Sequence, residues 1–359
     1  MNLLFLSQYA IILAMDYASR QQQFMEFYPA EPAFRWAQIE RGFFNPKFSG
    51  WNDVLNLSKA MRQNLADNIP WISAKLSNLQ KDKAGDVFKA ALELADGQKI
   101  ETVLMKNKRG QWSVCASSQA GCAMECGFCA TGKMGLARNL TSDEIADQLR
   151  FWLYWLRENK TGAERVSNIV IMGMGEPLAN YDNLKTALKT WLRYTDIGAT
   201  HITVSTVGLL PQLEQLLNDQ NWPPVRLAVS LHAVDQKLRE QIIPSTAPDF
   251  FIKLADWAKR YFKKYGNRRH HLTFEYLLLQ NINDRPQDAK LLADYVNKIG
   301  RVKINLIPYN KTSARLGRSA DEQMEQFLAM LEKNGTVVTI RRSLGEDISA
   351  ACGQLANKS

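Results

Sequence analysis

Short runs of β-branched and aromatic residues alternate with longer amphipathic stretches from about residue 110 to residue 342. The runs that we predict as strands are residues 112–115, 168–173, 201–206, 226–232, 273–279, 303–308 and 336–342. Helical patterns such as TSDEIADQLRFWLYWLRE separate them. Strands that alternate with helices form a parallel sheet covered by helices. The pattern therefore predicts an α/β fold, either a partial or a closed barrel of the TIM type.

The chain before this region has a different pattern. Segments such as PAEPAFRWAQIERGFF carry apolar residues at helical spacing, which predicts helices from residue 16 to about residue 85. Asp96-Gly97 then lies between two alternating segments, and this pair is a strong signal for a β-hairpin. We therefore expect a helical accessory domain over residues 1–90, an α/β core over residues 91–345 and a short C-terminal segment over residues 346–359.

Composition narrows the class of protein. Hydrophobic residues make up 46% of the 359 residues and charged residues 23%, which argues against a disordered or fibrous chain. Lys and Arg number 45 against 36 Asp and Glu, a formal net charge of +9. This excess favours a polyanionic partner but is equally compatible with a chain that is basic for no functional reason.

The apolar N-terminal stretch MNLLFLSQYAIILAM has no basic start and no cleavage pattern, and it is shorter than the roughly 20 apolar residues of a membrane span. We interpret it as a helix extension, or as upstream sequence if Met15 is the true start. The cysteines number five, an odd count that favours a reducing compartment. The expectation is a cytoplasmic protein without a membrane partner.

Unusual polar residues follow the predicted strands at their carboxyl ends. They are a cysteine run after the first strand, GMGEP at 173–177, Ser205, Ser230, His232 and Asn310. In parallel α/β barrels the catalytic residues lie in the loops at this end of the strands. The pattern predicts one active site at the rim of the sheet.

The cysteine run GCAMECGFCATGKMG has the spacing C-x3-C-x2-C. Three thiols this close can hold three irons of a [4Fe–4S] cluster and leave the fourth iron open to a ligand. Gly121, Gly127 and Gly132 would let the loop curl closely around such a cluster. Two alternatives remain at this point. One is a zinc site with Cys115 as a fourth ligand, although the usual second cysteine pair is missing; the other is three buried cysteines without a metal.

This spacing after the first strand of an α/β barrel resembles the radical S-adenosylmethionine (SAM) superfamily. The likeness narrows with the segments CASSQAGCAMECGFCATGKMGLARNLTSDEI, GMGEPLANYDN, VSTVG, SLHA, KINLIPYN and GEDISAACGQL, which occur in this order. Together they closely resemble the RlmN/Cfr family of radical SAM RNA adenosine methyltransferases, and within it the RlmN-type adenine-C2 enzymes. The resemblance runs from about residue 20 to the end of the chain.

The resemblance implies a set of cofactors and their ligands. It assigns one [4Fe–4S] cluster to Cys122, Cys126 and Cys129, and two SAM molecules to each turnover, as methyl donor and as radical source. The residues that it implies as SAM contacts are Gly175, Glu176, Ser205, Ser230, Leu231, His232 and Asn310. Their chemistry suits SAM, since a carboxylate accepts hydrogen bonds from an ammonium group and Ser or Asn can bind carboxylate and hydroxyl groups. Taken singly, each is more often an ordinary residue at a strand end.

The resemblance also implies three catalytic residues. Cys352 would accept a methyl group as S-methylcysteine, Cys115 would resolve the protein–RNA adduct through a transient disulfide with Cys352, and Glu101 would accept a proton. Without the family, Glu101 is interpreted as a solvent-facing carboxylate and Cys352 as an inert small hydrophobe. Because only a thiolate attacks efficiently, positive charge should lie nearby; the candidates are Arg341, Arg342 and Lys133.

The implied substrate is C2 of a specific adenosine in 23S rRNA at the peptidyl transferase centre, with an anticodon-adjacent adenosine of tRNAs as a further candidate. The nearest alternative is a Cfr-type adenosine C8 methyltransferase that gives antibiotic resistance. A more distant alternative is a zinc- or RNA-binding protein without enzyme activity.

The implied partners are RNA and a flavodoxin- or ferredoxin-like electron donor, and the expected state is a monomer. RNA recognition is expected in the N-terminal helical domain. The basic segment KRYFKKYGNRR at 259–269 is a second candidate, although it is equally typical of a solvated helix face.

Overall fold

A ten-stranded sheet forms the centre of the computed structural model, which describes residues 19–45, 47–159, 165–266, 272–300, 302–341 and 343–356. Its strands in sheet order are β1 (Ala74–Lys81), β2 (Val87–Leu94), β3 (Lys99–Lys106), β4 (Trp112–Ala116), β7 (Val166–Ile171), β8 (Ile202–Thr206), β9 (Arg226–Ser230), β10 (Leu272–Leu278), β11 (Val302–Pro308) and β12 (Val337–Ile340). A separate antiparallel pair consists of β5 (Gln119–Cys122) and β6 (Gly135–Asn139).

Within the ten-stranded sheet, the strands β4 and β7 to β12 are all parallel, whereas β1 to β4 pair in antiparallel order. Strands β1 and β12 are the two edges of the sheet, so the barrel is partial and not closed. The predicted α/β class is confirmed, with the partial barrel as the form that the chain adopts. The predicted hairpin is present as β2 and β3, which flank Asp96 and Gly97.

The helices are α1 (Arg20–Phe27), α2 (Ala33–Phe43), α3 (Lys59–Asn68), α4 (Ser142–Glu158), α5 (Tyr181–Tyr194), α6 (Leu210–Asn218), α7 (Gln236–Ile242), α8 (Phe250–Tyr265), α9 (Pro286–Ile299) and α10 (Asp321–Lys333). Those after β4 alternate with the parallel strands. Their apolar faces and the sheet form one large core, to which Trp152, Trp191 and Trp257 each contribute a fully buried side chain.

Helices α1 to α3 have a small core of their own, built from aromatic side chains such as Phe24, Trp36 and Phe43. This unit docks on α4 through Arg20, whose Nη2 donates to Asp147 at 2.9 Å and to Asp143 at 3.2 Å. The extent of an accessory domain over residues 1–90 stays a prediction.

The prediction of helix up to about residue 85 is wrong for residues 74–81, which form β1. The segment AKLSNLQK has few apolar residues, and its pattern is typical of neither a strand nor a helix. Its conformation is set by the antiparallel pairing with β2, which runs from Ala74 opposite Leu94 to Lys81 opposite Phe88. Pairing with the next strand along the chain therefore overrides local pattern here.

Among the described residues, no helix is both long enough and apolar enough to cross a membrane. The N-terminal apolar stretch, with Met15, lies outside the described residues.

Candidate active site

A cleft with a volume of about 140 Å³ opens where the parallel strands end. We call it the rim cleft. Seven residues predicted from the sequence line it: Cys129, Gly175, Glu176, Ser205, Ser230, His232 and Cys352. An adjoining cleft, which we call the thiol cleft, is lined by Cys115, Asn310, Arg341 and again Cys352. The predicted convergence at one rim is therefore present in the fold.

The cysteine loop begins at the end of β5 and returns to β6. Gly121 has φ of 83°, and a Cβ there would lie 2.0 Å from the carbonyl oxygen of Gly135, so only glycine fits. Gly132 is constrained less strongly, since its Cβ would lie 3.0 Å from the backbone nitrogen of Cys126. Gly127 has more room, with its nearest contact at 3.8 Å. Two of the three glycines thus allow the close curl that was expected.

The three thiols of this loop lie near one another. Cys122 and Cys126 are buried, and Cys129 is partly exposed at the wall of the rim cleft. Burial raises the pKa of Cys122 to about 12 and holds that of Cys126 well above its ordinary value, and the negative charge of neighbouring thiolates adds to both pKa values. Thiols with such raised pKa values become thiolate ligands only when a metal centre stabilises the negative charge.

A cluster fits this donor set better than a single ion does. In the part of the chain that the structure describes, no three His, Cys, Asp or Glu side chains are grouped to hold one metal ion. A zinc site needs four donors at about 2.0–2.3 Å from one ion. Cys115, the fourth ligand of the zinc hypothesis, instead lines the thiol cleft with Cys352. An iron–sulfur cluster needs only one thiolate on each of three separate irons.

Glu176 is a buried carboxylate in the wall of the rim cleft. Its Oε1 accepts hydrogen bonds from Thr206 Oγ1 at 2.6 Å and from the amide of Leu178 at 3.0 Å, and its Oε2 accepts one from the amide of Val207 at 2.8 Å. Burial raises the pKa of Glu176 to about 7, against the opposing effect of these donors. A cationic ligand in the cleft would stabilise the ionised form.

Gly175 precedes this carboxylate with φ of 98°, and a Cβ there would lie 2.5 Å from Cβ of Gln119. The side chain of Gln119 accepts a hydrogen bond from the amide of Glu176 at 2.8 Å. This close packing on β5 fixes the position of Glu176 relative to the cysteine loop.

His232 adopts φ of 57°, a left-handed conformation that is uncommon for histidine, and it lies two residues after the end of β9. Its Nδ1 accepts a hydrogen bond from the amide of Leu277 at 3.0 Å, so the ring proton lies on Nε2. Burial, aided by the positive charge of Arg239, lowers the pKa of His232 to about 3. The imidazole is therefore a neutral donor at the cleft.

Leu231 and Asn310 are both buried. Leu231 donates its backbone N–H to the carbonyl of Glu275 at 2.9 Å and does not line the rim cleft. Asn310 donates from Nδ2 to the carbonyl of Cys352 at 3.1 Å, while its buried Oδ1 has no partner among the described residues. An unsatisfied buried acceptor at a cleft is a candidate contact for a ligand hydroxyl or ammonium group.

Cys115 and Cys352 face each other across the thiol cleft as free thiols. Burial raises the pKa of Cys115 to about 12, the charge of Cys352 raises it further, and Arg341 acts to lower it. The pKa of Arg341 is in turn raised above its ordinary value, first by Cys352. Of the three cations that were predicted to lie near these thiols, Arg341 does so. The exposed Lys133 donates to the carbonyl of Thr312, and Arg342 lies outside the described residues.

Glu101 is only 1% exposed, although its position in a hairpin strand suggested a solvent-facing carboxylate. Its Oε1 lies 3.0 Å from Nζ of Lys89, and its Oε2 accepts a hydrogen bond from the amide of Ala356 at 2.8 Å. The carboxylate therefore contacts the same C-terminal segment that carries Cys352.

That C-terminal segment is tied to the cysteine loop. The carbonyl of Gly353 accepts a hydrogen bond from the amide of Ala130 at 2.7 Å, and the carbonyl of Leu355 accepts one from Thr131 Oγ1 at 2.5 Å. These bonds hold Cys352 between the cysteine loop and β4, although more than 200 residues of chain separate it from either.

This chain is similar to known proteins of one family. The sequence profile of the radical SAM superfamily matches residues 117–293. A probable dual-specificity RNA methyltransferase RlmN from Dictyoglomus turgidum is 40% identical, covering 90% of this chain and 91% of its own length. The dual-specificity RNA methyltransferase RlmN of Alcanivorax borkumensis is 36% identical over 91% of this chain and 86% of its own. The chain belongs to the RlmN/Cfr family.

The fold agrees with this assignment. The crystal structure of a radical SAM methyltransferase from Sphaerobacter thermophilus superposes with a TM-score of 0.84 at 34% sequence identity. The match covers 96% of this chain and 99% of the other. The likeness thus extends well beyond the radical SAM core and includes most of the helical unit.

Sequence reasoning missed several residues that shape this RlmN/Cfr site. Arg239 donates to the carbonyls at the ends of β8 and β9, and Glu275 lines the rim cleft as a buried carboxylate. Glu275 could have been noticed as a charge inside the apolar strand TFEYLLL. Arg239 lies in the ordinary helical pattern QKLREQI, which gives no such signal.

Proposed function

We propose that this protein methylates C2 of an adenosine in 23S rRNA at the peptidyl transferase centre, and C2 of an anticodon-adjacent adenosine in tRNAs. The observation that carries the proposal is that Cys352 lines both clefts, with predicted SAM contacts on one side and Cys115 on the other. The dual-specificity names of the RlmN relatives support two classes of RNA substrate.

Cys122, Cys126 and Cys129 would hold a [4Fe–4S] cluster, and the open iron would bind SAM. The predicted SAM contacts are Gly175, Glu176, Ser205, Ser230, Leu231, His232 and Asn310. Glu176 would accept from the ammonium group of SAM, while the Nε2–H of His232 and the side chain of Asn310 would serve as polar contacts. When bound, the cluster and SAM supply a 5′-deoxyadenosyl radical, and a further SAM supplies the methyl group, so that each turnover uses two.

Adenine C2 has no nucleophilic lone pair, so a carbon radical must attack it. The thiolate of Cys352 would take a methyl group from SAM as a thioether and leave S-adenosylhomocysteine, and transfer of a hydrogen atom from that S-methyl group to the 5′-deoxyadenosyl radical would give the attacking carbon radical. After addition, the adduct would return one electron to the electron-transfer partner and give its ring proton to Glu101. The thiolate of Cys115 would then attack the sulfur of Cys352, which breaks the bond between that sulfur and the bridging carbon and forms a disulfide, while the released carbon takes up a proton and becomes the methyl group. External thiols reduce this disulfide between turnovers.

The position of Glu101 adds a requirement to this sequence of steps. Both of its carboxylate oxygens have partners, Lys89 and the amide of Ala356. Each oxygen keeps a free lone pair, but the carboxylate is only 1% exposed, so a substrate base can reach it only when a segment that covers it moves. The Ala356 amide belongs to the segment that carries Cys352, so we expect this bond to break when that segment moves to deliver the S-methyl group.

A flavodoxin- or ferredoxin-like protein is proposed as the electron donor. The helical unit of α1 to α3 is the proposed site of RNA recognition. The second candidate, the basic segment at 259–269, is in part the exposed face of α8, where Arg260 pairs with Glu214 and Asp256. Residues 267–269 of that segment lie outside the described residues.

Mass mapping of the modified nucleotide tests the proposal. The protein is reconstituted anaerobically with iron and sulfide, then incubated with dithionite as reductant, methyl-labelled SAM and either protein-free 23S rRNA or tRNA. We expect 2-methyladenosine in both RNAs. A product of 8-methyladenosine would assign the Cfr-type activity instead. An iron-loaded protein that methylates neither RNA would contradict the proposal.

A further inference from the structure

Arg239 on α7 is a buried cation without a carboxylate partner among the described residues. Its side chain is 1% exposed, and no Asp or Glu oxygen of the described chain lies within 4 Å of it. The other buried arginines of the described chain, Arg20, Arg138 and Arg150, all pair with carboxylates. A buried charge without a counter-charge is costly, so its retention calls for an explanation.

The contacts that Arg239 does make hold it in one orientation. Its guanidinium donates to the carbonyls of Leu231, Val207 and Ser230 at 2.6–3.1 Å, and to Thr246 Oγ1 at 2.7 Å. The guanidinium carbon lies 3.6 Å from the ring centroid of Phe250. These partners occupy four of its five N–H donors but supply only partial charge. Accordingly, burial lowers the pKa of Arg239 to about 9.

The helix that carries Arg239 also supports the cysteine loop. The carbonyl of Ile242, at the end of α7, accepts a hydrogen bond from the amide of Gly127 at 2.9 Å. Ile242 and Leu238 pack in one apolar cluster with Cys126. Val207, whose carbonyl accepts a hydrogen bond from Arg239, packs against the same apolar cluster. The cysteine loop is therefore the neighbouring site at which a bound anion would supply the missing counter-charge.

We propose that Arg239 is the counter-charge of the iron–sulfur cluster and sets its reduction potential. Three thiolates outweigh the positive charge of the oxidised cluster core, so the bound cluster is anionic, and one-electron reduction makes it more so. A fixed cation in a poorly polarisable interior favours the more negative state. Arg239 thus raises the reduction potential and makes the cluster easier to reduce. The inference needs the cluster of the proposed function but not its RNA substrate.

The decisive comparison uses three full-length variants, Arg239→Met, Arg239→Gln and Arg239→Lys, with Arg150→Met as a control that removes a buried but carboxylate-paired arginine. Each is reconstituted anaerobically, its iron content is measured, and its reduction potential is determined by titration followed by electron paramagnetic resonance. We expect a lower potential in the Met and Gln variants, a nearly unchanged potential in Lys, and the wild-type value in Arg150→Met. The Gln variant keeps an amide donor for the strand carbonyls, so it remains informative if the Met variant does not fold.

A second measurement does not depend on redox chemistry. Cluster loading should raise the unfolding temperature of the wild type more than that of Arg239→Gln. Only in the wild type does the anionic cluster compensate the buried positive charge of Arg239. The proposal is overturned if the Met and Gln variants keep the wild-type potential, or if Lys lowers it as much as Gln does, since the hydrogen bonds and not the charge would then matter. Failure of the wild type to assemble a cluster would instead refute the proposed function.

Discussion

Arginines serve two regions of this molecule in opposite ways. Where the helical unit docks on α4, Arg20 and Arg150 both pair with Asp147, at 2.9 Å and 2.5 Å. At the rim of the sheet, Arg239 has no carboxylate partner in the described chain, and Arg341 faces thiols, with the carboxylate of Glu275 as far as 3.9 Å away. The interface completes its own charge balance, whereas the rim leaves positive charge for anions that form during function.

The cysteines that face Arg341 provide the largest expected effects. Cys352→Ala should abolish methylation, because no other thiol is placed to carry the methyl group, while cleavage of SAM stays possible. Cys115→Ala should instead accumulate protein covalently bound to RNA. Gel electrophoresis after nuclease treatment detects the adduct, and labelled SAM measures methylation. Normal turnover without adduct in Cys115→Ala would refute its resolving role.

The docking interface should respond through stability alone. Asp147→Ala leaves two buried guanidinium groups without their shared carboxylate, so the free energy of unfolding should fall by about 3–5 kcal/mol. Urea denaturation measures the loss. The reduction potential of the reconstituted cluster should not change, and a changed potential would show that the two regions are not independent.

Lys89 tests a third arrangement, a buried cation paired with a proposed catalytic carboxylate. Lys89→Met removes the group that holds Oε1 of Glu101, so we expect roughly a tenfold lower kcat, which is less than the contribution of about 10²–10⁴ that loss of a positioned base would remove. KM for RNA should stay close to that of the wild type, and Lys89→Arg should restore most of kcat. If KM rises while kcat is unchanged, Lys89 contributes to RNA binding and not to the position of Glu101.

The smallest effect is a pH dependence at the rim. The folded-state pKa of His232 is lowered to about 3, below its ordinary value of about 6.5, so the unfolded chain binds more protons between these values. The stability that this neutral histidine contributes is complete above about pH 6.5. It falls by about 1.4 kcal/mol for each pH unit below that value, down to about pH 3.

Urea midpoints of the cluster-free protein at pH 7.5 and pH 5.5 measure this slope. His232→Gln should show a smaller loss of stability between the two pH values than the wild type does. Equal losses in the two proteins would mean that His232 is not held neutral.

The sequence predicted those features that arise from neighbouring residues. The strand–helix alternation gave the α/β class, and Asp96-Gly97 gave the hairpin, because both patterns depend on local conformational preference. Local pattern failed at residues 74–81, where pairing with β2 decides the conformation. Local pattern also gave no indication that Glu101 is buried, because the ion pair of Glu101 with Lys89 joins two different strands.

By itself, the sequence determined the donor set. Three thiols within eight residues must lie close together in any fold, because the chain between them is too short to separate them. The tertiary structure alone decided that the sheet stays open, that Cys115 and Cys352 share a cleft, and that Arg239 is buried beside the cysteine loop without a carboxylate partner in the described chain. Each of these depends on contacts between residues far apart in the chain, and the electrostatic environment of a charge is set by what folding removes from water.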